Sequence, residues 1–147
     1  MLELIVGTVV VRSEEVKKSL ESIPVQGKKL LEPLKSIATQ HDLPFNILED
    51  KDVSDNLAEV HAVDGDLWLC LEGEAVFTLG GELVDPYEVK RRDGVSDSRE
   101  LKAKKIQGGT NTVLKSGDYL WIPPGVPHVH NVPTGVARLV IIKIPKV

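Results

Sequence analysis

Residues 117–131 read GDYLWIPPGVPHVHN. A run of strand-formers, YLWI, stops at Pro123-Pro124-Gly125, and two histidines, His128 and His130, follow at once. Proline cannot continue a sheet ladder and glycine supplies turn conformations, so the stretch reads as a strand, a break and a return carrying imidazole. The same grammar recurs from Phe45 onward. The runs FNIL, LAEVHAV, DLWLCL, AVFTL, TVL, YLWI and ARLVIIKI alternate with the breakers DG, EGE, LGG, KSGD, PPG and PTG. Many short strands with this punctuation predict a mainly β sandwich or barrel.

The rest of the chain is less regular. Residues 5–12 form an apolar, β-branched run that predicts a buried strand and offers an edge for pairing with a second copy. Ser13 is placed to cap a helix with Val16, Leu20 and Ile23 on one face, ended by Pro24. A second helix is expected from about Glu32, with Pro33 in its first turn, Leu34, Ile37 and Ala38 as its apolar stripe, and His41 solvated at its end. Residues 84–109 are charged and long, and predict a surface excursion with at most one short strand or helix. The basic run Lys90, Arg91 and Arg92 within it reads as solvated, with docking of an anionic group as the sharper alternative.

Composition limits what the chain can do. Its 147 residues suit one domain, and a net charge of −4 argues against nucleic-acid or anionic-membrane partners. The single cysteine, Cys70, excludes an internal disulfide and a cysteine-based zinc site, and fits a reducing compartment. The apolar start lacks the basic flank and small-residue cleavage site of a secretory signal, and no run approaches the roughly 18 residues of a membrane span. A cytoplasmic protein is expected.

A second stretch, AEVHAVDGDLWLCLEGE (residues 58–74), carries the chemistry. Asp64-Gly65 is a strong two-residue hairpin signal. Such a hairpin would put Glu59, His61, Val63, Asp66, Trp68 and Cys70 on one face. Val60, Ala62, Leu67, Leu69 and Leu71 would share the other face, packed against the body or an added element. Carboxylates are rarely buried without a partner, whereas Trp68 and Cys70 prefer burial. The first face therefore reads either as a cavity in which a cation offsets the charge or as a polar face in water.

Together the two stretches resemble the cupin superfamily. Its second motif is a Gly, five residues, Pro, one residue, Gly, two residues, His, three residues and Asn. Gly117, Pro123, Gly125 and His128 match, and Asn131 comes one residue early. The first motif, a His-x-His followed by Glu and Gly, appears here as Glu59, His61, Asp66 and Gly73, with two of three ligand positions substituted by residues that still bind metal. The resemblance implies an antiparallel jelly-roll barrel over residues 45–147, with residues 1–44 adding a strand and helices outside. It also implies one divalent transition metal (Fe, Mn, Zn, Ni or Co) held by Glu59, His61, Asp66 and His128, with Asp66 acting directly or through a water. A homodimer and a small-molecule substrate are implied too.

Three activities fit that reading: an Fe(II) dioxygenase, a metal-dependent sugar isomerase or epimerase, and a non-catalytic ligand-binding cupin. A rather apolar expected lining of Val63, Trp68, Cys70, Leu120 and Ile122 puts the dioxygenase first. Glu59 and His130 are the candidates for proton transfer. His130 also reads as a support for a ligand, a rim residue or a partly exposed histidine at a loop end, and the loop end carries most weight.

Overall fold

The computed structural model describes residues 2–5, 7–91 and 93–146. In chain order it contains β1 (Leu2–Ile5), β2 (Thr8–Val11), α1 (Ser13–Leu20), β3 (Gly27–Leu30) and α2 (Leu34–His41). There follow β4 (Phe45–Val53), β5 (Ala58–His61), β6 (Asp64–Glu72), β7 (Glu74–Leu79), β8 (Glu82–Val84), β9 (Tyr87–Lys90) and β10 (Ser96–Ala103). The last four are β11 (Lys105–Gln107), β12 (Thr110–Lys115), β13 (Tyr119–Ile122) and β14 (His128–Pro145). Each of the seven apolar runs read from the sequence lies on a strand, and the architecture is the expected antiparallel jelly roll.

Two sheets meet along β14. Its first residues, His128 to Asn131, pair with β7, and His128 also pairs with Glu59 of β5. After a register shift between Val132 and Val136 the same strand pairs with β4 and β6. The sheet orders are therefore β12-β7-β14-β5-β10-β9 and β3-β4-β14-β6-β13. The PTG segment read as a break is instead a bulge inside β14, with Gly135 at φ +94°. A bulge of this kind lets a strand bend from one sheet into the other.

Period-2 alternation builds the core. Ala137, Leu139 and Ile141 of β14 face inward and pack with Trp68, Cys70, Phe77 and Ile122. Val140 faces outward and joins Leu31, Leu34, Ile47, Val16 and Leu20, where the helices cover the sheet. Arg138 shares that outer side. Its Nε lies 3.0 Å from Oε1 of the fully buried Glu49, and its guanidinium donates to the carbonyls of Leu20 and Ser22 beyond the last turn of α1. The ion pair satisfies helix-end carbonyls that would otherwise be stranded.

Several expectations require correction. The run 5–12 is not one strand: β1 and β2 form a hairpin, because Gly7 takes φ +71° and reverses the chain. The residue preceding α1 is Arg12, so Ser13 lies inside the helix, and Ile23 lies past its end, 83% exposed. The region 27–30 adds a strand, β3, that the reading passed over. The charged region 84–109 contains β9, β10 and β11, and the eight-residue β10 pairs with β5. Within the basic run, Lys90 is exposed, Arg91 is exposed and pairs with Asp93 at 3.1 Å, and Arg92 lies outside the described residues. His41 ends α2, as expected.

The largest correction concerns Asp64-Gly65. Strands β5 and β6 do not pair with each other: β5 lies between β14 and β10, and β6 between β14 and β13. Gly65 belongs to β6 and is not among the positive-φ residues. A Cβ at this position would run into the Trp121 ring. Glycine is needed there for close approach, so the turn signal was misleading.

Replacing Arg138 by Met removes the guanidinium and leaves the buried Glu49 only Lys29, 3.6 Å away, and the Val25 N–H as partners. This variant should lose about 3–5 kcal/mol of stability in urea unfolding, and the double change R138M/E49M should recover most of it. An R138M variant as stable as the wild type would contradict the role given to this pair.

Candidate metal centre

Three cross-strand pairs assemble the site. Glu59 of β5 lies opposite His128 of β14, His61 of β5 opposite Glu100 of β10, and Asp66 of β6 opposite Lys143 of β14. Opposed residues share a sheet face, and the two sheets turn these faces toward each other. The Pro-Pro-Gly break helps to align them: Gly125, at φ +85°, donates its N–H to the His61 carbonyl at 2.7 Å. That bond ties the entry of β14 to the end of β5.

Glu59, His61, Asp66 and His128 each direct one donor atom to a common point, with all four atoms within 4.8 Å of one another. His61 Nε2 is 3.4 Å from Glu59 Oε1 and 3.7 Å from Asp66 Oδ2. His128 Nε2 is 3.5 Å from Glu59 Oε1 and 3.2 Å from Asp66 Oδ2. These are the four residues that the motif resemblance selects. His61, Asp66 and His128 are buried and Glu59 is half-buried.

The ring of His128 is held for ligation. Its Nδ1 donates to the Val126 carbonyl at 2.9 Å in the neutral form, which leaves the Nε2 lone pair facing the cluster. His128 Nε2 and Asp66 Oδ2 are both buried with no aligned hydrogen-bond partner, despite their short separation. Orphaned buried atoms of this kind are costly. Two imidazoles and two carboxylates converging here fit a divalent cation, and this cluster could bind a metal.

The electrostatics agree. Burial opposes ionisation of Glu59, but its contacts with His128 and His61 prevail and hold the carboxyl far below the usual carboxylate range. Burial also opposes the charge on Asp66, where His128 and Lys143 prevail and hold the carboxyl low. For His128, burial disfavours the imidazolium. The carboxylates of Asp66 and Glu59 and the Val126 carbonyl outweigh burial and raise it to about 9. The two carboxylates are thus held ionised and draw positive charge to themselves.

Two features were missed in the sequence. Lys143 donates to Asp66 Oδ1 at 2.7 Å and lies 3.2 Å from His61 Nε2. The signal was a lysine in the inward phase of ARLVIIKI, two residues after Ile141. Glu100, 3.8 Å from His61 Nδ1, was hidden in the presumed excursion.

His130 is not at a loop end: it is 5% exposed and lies within β14. Its Nε2 is 2.8 Å from Oδ2 of the buried Asp50, off the line of a hydrogen bond. Its ring packs 5.0 Å from Trp68 and 5.3 Å from Phe77. Asn56 joins this group by bonding both Asp50 Oδ1 and the His130 carbonyl.

A cavity of about 380 Å³ opens beside the cluster. Leu30, Phe45, Leu48, Trp68 and Ile141 give it apolar walls, and Glu59, His61, His130, Lys28 and Lys143 also line it. Of the expected lining, Trp68 is present. Val63 is 40% exposed, because β5 ends before it, while Cys70 and Ile122 are absorbed into the core and Leu120 packs against it.

No family model matches the chain, and no curated protein does. Solved structures do. Fe(II)-HppE with the alternative substrate (S)-1-HPP superposes with a TM-score of 0.53 at 14% identity, covering 98% of this chain and 64% of that one. The Drosophila melanogaster CENP-C cupin domain gives 0.52 at 15% identity, covering 91% and 81%. The chain has the cupin fold. An oxalate oxidase matches this cupin fold at 0.50 and 16% identity, covering 89% and 57%. This chain spans between 41% and 64% of the length of the oxalate oxidase and HppE chains it resembles. Among the described residues no helix is long and apolar enough to cross a membrane.

A metal ion taking the His128 lone pair displaces the proton held there with a pKa of about 9. Below that pH one proton should leave per ion bound, and apparent affinity should fall by up to about tenfold per pH unit as pH drops. Zinc titration at several pH values with a pH indicator checks this. Affinity independent of pH between 6 and 8 would contradict ligation by His128.

Proposed function

We propose that this cupin is a divalent-metal-dependent enzyme acting on a small metabolite, with oxidoreductase chemistry of the Fe(II) dioxygenase type. One observation carries the reading: two imidazoles and two carboxylates converge within 4.8 Å, and two of the four, Glu59 and His61, line a cavity of about 380 Å³. Concave, largely apolar cavities with a few convergent polar groups are where small ligands bind. His61, His128 and one carboxylate form the ligand pattern associated with non-haem iron, and the fourth residue supplies a further oxygen donor. Among the solved neighbours, Fe(II)-HppE with an alternative substrate and an oxalate oxidase share this fold.

His61, His128, Glu59 and Asp66 would hold the ion, which when bound supplies Lewis acidity and open positions for substrate and oxygen. The chain's own residues would do the rest. Trp68, Phe45, Leu48 and Ile141 exclude water from the reacting end of the cavity. Glu59, held ionised by the two imidazoles, would be a weak base, which leaves the movement of a substrate proton to His130. Asp50 would orient His130, whose ring lies against Trp68 on the cavity wall.

The His130–Asp50 pair supports a second reading, a metal-dependent isomerase. A buried imidazole backed by a carboxylate suits the movement of a proton between two carbons.

Protein purified without chelators should contain about one transition metal per chain, and His128→Ala and His61→Ala should each cut retention more than tenfold. Iron with oxygen uptake on catechol-like or thiol substrates supports the dioxygenase. Zinc or manganese with no oxygen consumption supports the isomerase. Less than about 0.1 metal per chain, with no change in thermal stability on adding divalent ions, would overturn both.

A further inference from the structure

Lys143 is a charged residue on the inner face of β14, in phase with the buried Ala137, Leu139 and Ile141. Its side chain is 40% exposed and its ammonium spans two members of the cluster, Asp66 Oδ1 at 2.7 Å and His61 Nε2 at 3.2 Å. Lysine only donates hydrogen bonds, so the contact to His61 uses the lone pair on Nε2. In the tautomer in which His61 accepts from Lys143, the imidazole proton sits on Nδ1, on the side of Glu100 Oε1. His61 Nε2 has one lone pair, and it cannot serve Lys143 and a metal ion together. Asp66 is different, since its two oxygens carry several acceptor sites. A metal ion therefore removes one of the two partners of Lys143 and leaves the other.

The consequence is a redirected cation. The ammonium keeps Asp66 Oδ1 as an anchor and gains free N–H donors on the side of the cavity that Lys143 lines. Charge acts in the same direction. Glu59 and Asp66 together balance a divalent ion, so the ammonium no longer has a carboxylate that it alone neutralises. The other acids on the wall do not compensate it closely. Glu100 faces the far nitrogen of His61, and Asp64 and Glu100 also line a smaller cavity of about 140 Å³ that contains Arg99. A second ammonium, on the exposed Lys28, stands on the wall of the main cavity. Unpaired positive charge beside a half-apolar cavity selects an anionic ligand.

We propose that Lys143 is the residue that binds the anionic group of the substrate, and that the substrate is a small carboxylate seated between the metal ion and this ammonium. The inference rests on the metal-binding reading above and adds the substrate class. The aliphatic walls accept the carbon skeleton, Lys143 takes one carboxylate oxygen, and its anchor on Asp66 fixes the ammonium next to the ion. Lys143 also acts as the site's counter-cation before metal arrives, and so competes with the metal.

The test uses full-length protein loaded with Co(II), with metal content measured separately. Lactate and lactamide serve as probes, because they differ in charge and little in size. Lactate should perturb the visible Co(II) bands at least about tenfold more tightly than lactamide. Lys143→Gln should still take up about one Co(II) per chain, bind it more tightly than the wild type, and lose that preference. Lys143→Arg retains a positive charge and should keep it, which guards against a variant that is merely disordered. Full Co(II) loading with equal affinity for the two probes, or a Lys143→Gln variant with unchanged preference, would overturn the anion site and leave the metal site standing. Failure of the wild type to take up Co(II) would overturn both.

Discussion

Asp66 sets the terms for the rest of the molecule. Its carboxylate is fully buried, one oxygen is held by Lys143, and the other faces His128 without an aligned hydrogen bond. An ionised carboxylate in a protein interior is tolerated only with compensating charge. Two imidazoles and an ammonium collect around it, His61 from β5 and both His128 and Lys143 from β14. The mutual attraction within this cluster holds Glu59 and Asp66 ionised and raises His128, against the pull of burial on each. The interior of this barrel is thus organised to receive positive charge, and the surrounding apolar walls strengthen that demand by keeping water out.

Strand β14 connects that requirement to the fold. It pairs with four other strands and contributes His128, His130, Arg138 and Lys143. The bulge between Val132 and Val136 divides its labour. Before the bulge it supplies imidazole to the sheet containing β5 and β7. After it, the alternation sends Lys143 inward to the cluster and Arg138 outward to Glu49 and the end of α1. One period-2 pattern therefore ties the N-terminal helices to the barrel and the barrel to its site. Two of the buried carboxylates, Glu49 and Asp66, lie on opposite faces of the same sheet, and each pairs with a basic residue of this strand.

Seven of the strands and a β sandwich or barrel were legible from local pattern, whereas the jelly roll and the full set of four clustered residues came from the motif resemblance. Alternation puts Asp66, Trp68 and Cys70 on one face of β6 whichever strand lies alongside, and spacing by two puts Glu59 and His61 together on β5. The pairing of these strands was not legible. Asp64-Gly65 has the composition of a tight turn, yet Gly65 is small because Trp121 lies over it. Nothing local reports a contact made from more than fifty residues away. The same limit hid β10: its sequence SDSRELKA is polar and carries no run of strand-formers, and only its register with β5 brings Glu100 to His61. His130 read as a partly exposed histidine at a loop end. In the structure β14 starts at His128, and Asp50 and Asn56, on other segments, enclose the ring region.

The central claim is that Glu59, His61, Asp66 and His128 share one divalent ion. Anomalous diffraction at the absorption edge of the metal, from crystals of protein purified with metal present, tests it most directly. The expected result is a single peak at roughly 2.0–2.3 Å from Nε2 of His61, Nε2 of His128 and at least one carboxylate oxygen of Glu59 or Asp66, with Lys143 drawn away from His61. A map with no peak there, and Lys143 still bridging Asp66 and His61 at full metal concentration, would contradict it.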